Sequence, residues 1–97
     1  MTFEQQDILV SYLNNCKQHS NNIPFKVTPR HDTYGDPYLP DYFIRVICGE
    51  RYYSIHYNLE KGYQVDWDDK ILVSSKNPAD ICNYFFKQLG ELKSAKK

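Results

Sequence analysis

Apolar residues recur at Phe3, Ile8, Leu9, Tyr12, Leu13 and Cys16, a spacing that keeps them on one face of a 3.6-residue turn. The pattern predicts a helix over about residues 2–17. Thr2 and Gln5 fit a capping box, in which each side chain satisfies the other residue's backbone N–H. Glu4 and Asp7 fall in the first two turns, where the helix dipole favours acids. The turn-forming run His19–Pro24 ends the helix. Phe25–Thr28 then alternates apolar and polar, a short strand that Pro29 either stops or places at a sheet edge. Residues 30–41 contain Gly35, Pro37, Pro40 and three aspartates but no lysine, and read as a loop long enough to carry function.

From Tyr42 the period changes to two. Tyr42–Cys48 is the strongest strand signal, and Gly49-Glu50 is a two-residue turn that returns Arg51–Tyr57 antiparallel. Asn58–Gly62 is the next turn, Tyr63–Trp67 the next strand, Asp68-Asp69 a further turn and Lys70–Ser74 the last strand. A second helix starts with Asn77 as N-cap, Pro78 in the first helical position and Asp80 in the first turn. Ile81, Cys82, Phe85, Phe86, Leu89 and Leu92 form its apolar face, and Gly90 weakens its end. The expected fold is α+β: an antiparallel sheet of four to five strands with an N-terminal and a C-terminal helix packed on it. Both helices lie on one face of the sheet, or one at each end, and the other face stays wet.

The 97 residues make one domain, with a compact body over 1–92 and a basic tail, 93–97, that is expected to fray. Net charge is zero, but residues 1–92 carry 9 basic against 12 acidic side chains, a net of −3. A general affinity for nucleic acid through a basic surface is therefore not expected. Nine tyrosines supply most of the aromatic content, and some of those amphipathic rings belong at a surface or interface. Cys16, Cys48 and Cys82 are odd in number and have no C-x-x-C spacing. Together with the missing secretory and membrane-spanning patterns, they point to a reduced cytosolic protein with buried thiols.

The candidate chemistry is carboxylate. Asp32, Asp36 and Asp41 bracket the first loop, Asp66, Asp68 and Asp69 cluster at the last turn, and Glu50 and Glu60 sit at hairpin ends. Strand alternation sends Tyr63, Val65 and Trp67 to one face and Gln64 and Asp66 to the other, with Asp68 following about 6.8 Å further on if the strand continues. Arg45, Ser54 and His56 are candidates for the same open face. Such a set is a solvated polar surface, or an array that stands in for phosphates. One strand cannot match duplex DNA's charge per about 1.7 Å, so an array requires the two acidic clusters and the hairpin ends to converge. A cation site is disfavoured, because the glycine and glutamate of an EF-hand loop are missing and no His–Cys pair has zinc-ligand spacing. No nucleophile or phosphate-loop motif occurs, so neither enzymatic activity, metal nor cofactor is expected. Tyrosine beside aspartate suits a protein-facing surface, and a second reading is an adaptor or homodimerisation domain using tyrosines on the open sheet face.

Across its full length the chain resembles a small phage-encoded anti-CRISPR protein that acts on type I-F surveillance (Csy) complexes. The resemblance lies in the opening Thr2-Phe-Glu-Gln-Gln-Asp7, the core Tyr42–Cys48 and the cluster Asp66-Trp-Asp-Asp69. It implies an inhibitor that occupies the basic site where the complex grips target DNA, a mimic of duplex phosphates. Its partners would be lysines and arginines at the complex's DNA-entry tail and adjacent backbone subunits, and it would work as a monomer in the cytoplasm of an infected bacterial host. Zero net charge departs from the usual strongly acidic DNA mimic and makes any mimicry local.

Overall fold

The computed structural model describes residues 1–33 and 41–95. It has an N-terminal helix α1 (Phe3–Gln18), five strands β1 (Phe25–Asp32), β2 (Asp41–Cys48), β3 (Arg51–Asn58), β4 (Gly62–Trp67) and β5 (Lys70–Ser75), and a C-terminal helix α2 (Pro78–Ala95). The sheet is an antiparallel meander in chain order, with β3 at its centre. Both helices pack side by side on one face, α1 chiefly over β1 and β2, and α2 over β5, β4 and β2. No described helix is long and apolar enough to cross a membrane.

Local chemistry sets each boundary. Thr2 Oγ1 accepts from Gln5 N at 3.1 Å while Gln5 Oε1 accepts from Thr2 N at 2.9 Å, completing the capping box. Asn77 Oδ1 accepts from Ala79 N at 3.0 Å at the start of α2. The β2–β3 turn places Gly49 at φ +66 and the β3–β4 turn places Gly62 at φ +87. At Gly62 a Cβ would lie 2.5 Å from the Ser75 carbonyl oxygen, so only glycine lets β5 come this close. Asp68 and Asp69 adopt φ +53 and +62 in succession, the two-residue hairpin pattern that short polar side chains tolerate best. The strand thus ends at Trp67, and Asp68 leaves the alternation that would have carried it beyond Asp66.

Two elements run further than the sequence pattern indicates. β1 continues through Pro29 to Asp32, opposite Asp41. Proline is tolerated there because β1 is an edge strand and its missing N–H faces away from the ladder. α2 continues through Lys93 to Ala95, past the expected end of the compact body, and Lys93 Nζ donates to the His19 carbonyl at 2.6 Å.

The inner face of the sheet meets the helices in one core. Ile44, Val46, Ile55 and Val65 from the strands are fully buried against Leu9 and Leu13 of α1 and Ile81, Phe85 and Leu89 of α2. Cys16 and Cys82 close the helix–helix seam, their Sγ atoms 3.3 Å apart. The polar Gln6 is buried here too, its Nε2 donating to the carbonyls of Arg30 and Phe43 at 2.8 Å each, which ties α1 to β1 and β2. No described helix covers the outer face.

Candidate functional site

On the outer face the register aligns side chains in rows. One row is Lys26, Ile47 and Tyr52 across β1, β2 and β3. The next is Thr28, Arg45, Ser54, Asp66 and Ile71 across all five strands, and a third carries Arg30, Phe43, His56 and Gln64. Arg45, Ser54 and His56 therefore sit on the open face as alternation predicts. Phe43 and His56 stack at 5.3 Å, and the Arg45 guanidinium lies 5.8 Å from the Phe43 ring centre. Apolar groups are exposed around them: Tyr52 is 73% exposed, Ile71 56% and Leu72 36%.

Where β4 turns into β5, this face holds a concavity of about 500 Å³. Tyr52, Ser54 and His56 form its β3 wall, Asp66, Asp68 and Asp69 its acidic rim, and Trp67 and Ile71 complete it. Among the described residues the only ion pair is between the Met1 ammonium and Asp41, so these three carboxylates have no internal base. Asp66 Oδ1 is also the one buried side-chain oxygen or nitrogen among the described residues without a hydrogen-bond partner. A register shift between Val65 and Asp66 marks a bulge opposite that residue, which also twists the β5 edge away from regular pairing.

The expected convergence of all the acids does not occur. Chain direction reverses at every turn, so Asp32, Asp41 and Glu60 lie at one end of the sheet, and Glu50, Asp66, Asp68 and Asp69 at the other. The ends are separated by the length of an eight-residue strand, about 23 Å. Asp36 lies outside the described residues. Asp32 and Asp41 directly oppose each other, and Asp41 is offset by the Met1 ammonium at 3.4 Å. Glu50 shares an end with the concavity but turns to the helix side, into a second groove of about 790 Å³ with Arg51, Trp67 and Glu91. Across Trp67, whose ring lies 4.2 Å from the Arg51 guanidinium, the two hollows stand back to back.

Sequence reasoning found the carboxylates of the rim but missed their neighbours Trp67 and Ile71. Alternation assigned Trp67 to the buried face, and Ile71 reads as a core position until the bulge turns it outward. The cysteines belong to the core: burial, then the hydrogen bond with Cys82, pushes the Cys16 thiol far up, and burial pushes Cys48 up to about 11. Both thiols therefore stay protonated and serve as apolar filling. Among the described residues no group of three or more His, Cys, Asp or Glu side chains is placed to hold a metal ion. Set against protein-family models, curated proteins and solved structures, the chain matches none.

Proposed function

We propose that this chain is a non-enzymatic inhibitor of the anti-CRISPR kind, which presents one acidic end of its sheet to a basic, DNA-gripping site of a type I-F surveillance complex. The observation that supports this reading is the concavity itself. Asp66, Asp68 and Asp69 meet there beside Tyr52, with no ion pair to a base among the described residues. Lysine and arginine side chains of a partner would gain charge-assisted hydrogen bonds from the carboxylates and contact area from the rings. Three carboxylates at one turn replace a phosphate or two rather than a length of duplex, so the mimicry is confined to one grip point. Asp32, Asp41 and Glu60 form a separate end and contribute only to the general field. On this reading the partner lies in the bacterial cytoplasm, at the complex's DNA-entry tail and neighbouring backbone subunits, with no direct nucleic-acid contact.

The test is competition on a purified type I-F complex. The chain and duplex target DNA should exclude each other, and raising salt should slow association. Asp68→Asn with Asp69→Asn keeps residue types that tolerate positive φ while removing the charge, and should slow association about tenfold or more. Simultaneous binding of DNA and chain, or an on-rate indifferent to those two changes, would overturn the reading.

A further inference from the structure

The acidic rim is only half of the charge on the open face. Lys26 and Arg45 are exposed on β1 and β2, while Asp66, Asp68 and Asp69 belong to β4 and its turn into β5, with β3 between the two sides. In the two rows nearest the β4–β5 turn, away from Asp32 and Asp41, the face is thus positive on β1 and β2 and negative on β4 and its turn, with the exposed Tyr52 on β3 between them. We propose that a second copy of this chain docks on this face, sheet against sheet, about a twofold axis that runs between the two sheets along β3. The inference uses the whole face and does not rest on the reading as a surveillance-complex inhibitor.

The charge pattern selects this axis. Rotation about a line along β3 exchanges β1 with β5 and β2 with β4 and keeps each row at its own level. Within the row that crosses all five strands, Arg45 on β2 then comes opposite Asp66 on β4 of the other copy. In the row below, Lys26 on β1 comes opposite the turn that holds Asp69. At the axis, Tyr52 meets its own counterpart. A twofold axis across the strands would instead set β1 against β1 and β5 against β5, putting cations against the cation-bearing side and leaving the carboxylates unmatched. Aligned sheets pack about 10 Å apart with interleaved side chains, which covers Tyr52 and Ile71. The patch spans about 19 Å across five strands and about 14 Å along three rows, below the size of a standard protein–protein interface. Such a dimer is reversible at ordinary concentrations, and it hides the acidic concavity until it dissociates.

Sedimentation velocity on the full chain over a wide concentration range tests this. The expected result is a shift from monomer toward dimer as concentration rises, weakened by salt. Lys26→Glu with Arg45→Glu should raise the dimer dissociation constant at least tenfold, and so should Asp66→Lys. An equimolar mixture of the two variants should regain association as a heterodimer. Tyr52→Arg leaves the core untouched and should give a monomer, which guards against loss of dimer through misfolding. A chain that stays monomeric at every concentration, a dimer that survives Tyr52→Arg, or variants that fail to complement each other would overturn the proposal. The Lys26→Glu/Arg45→Glu variant keeps the acidic rim, so its competition with duplex DNA on a surveillance complex reports on the inhibitor reading separately.

Discussion

Tyr52 and Tyr53 are adjacent in β3 and point to opposite faces of one sheet. Tyr53 is 2% exposed, with its ring 5.2 Å from Phe85 and 6.5 Å from Tyr84, in edge-to-face contact with both. Tyr52 is 73% exposed and lines the acidic concavity. The same side chain thus does two jobs within one residue step. On the helix side the ring is filling, and its removal would leave a void among fixed neighbours. On the open side it is exposed, and it is the contact area that both proposals use. A small sheet with helices on one face has to divide its residues this way, because the second face contributes little to the core and stays available for recognition.

Tyr53→Ala is the strongest way to probe that division. It removes the ring that Phe85 and Tyr84 pack against and should cost about 3–5 kcal/mol, as large aromatic truncations in cores do. For a chain of this size, that is a large share of all the stability there is. Urea or thermal unfolding checks it. A loss of under about 1 kcal/mol would mean the two helices close over the gap and that the inner face is less tightly packed than its burial implies.

Alkaline pH addresses the same face by a different route. Burial pushes the Cys48 thiol up to about 11, and burial followed by the neighbouring Tyr53 phenol pushes Tyr84 up to about 12. Both groups are neutral when protonated, so the folded chain holds these protons more tightly than the unfolded chain does. Their stabilising contribution is complete below the unfolded values of 9.0 and 10.0 and is lost as pH rises through about 11 and 12. The melting temperature should therefore be insensitive to these two groups up to about pH 9 and fall beyond it. Cys16, pushed up further from the same unfolded value of 9.0, holds the onset near pH 9, so Cys48→Ala should leave the onset in place and make the fall shallower. An unchanged steepness would mean that Cys48 is less enclosed than its burial implies.

The inner face was legible in the sequence and the site only in part, for physical reasons. Helix periodicity and period-two alternation follow from burying one side of each element, so Leu9, Leu13, Ile44, Val46 and Phe85 fall where spacing puts them. The capping residues Thr2 and Asn77 act within a single turn of chain and are equally readable. Positions that depend on pairing across strands are different. That β1 passes through Pro29 depends on its being an edge, and only the sheet order establishes that. The outward turn of Ile71 depends on a bulge opposite Asp66. The two acidic clusters look like one set in the text, yet a meander that reverses at each hairpin sends one to each end. Charge density along a chain carries no information about which end of a strand a turn occupies.

The open face sharpens the comparison with its smallest expected effect. Tyr52→Ala deletes a ring that is largely in solvent, so it should change stability by no more than about 0.5 kcal/mol, against several for its neighbour. Its burial would be gained only when a partner or a second copy covers the face, so its cost should appear in association. The measurement pairs unfolding with sedimentation on one sample. If Tyr52→Ala destabilised the monomer by as much as Tyr53→Ala, the ring would have to be packed against the chain itself. The two faces would then differ in polarity but not in role, and an exposed aromatic beside three carboxylates without an ion pair among the described residues would lose its meaning as a docking surface.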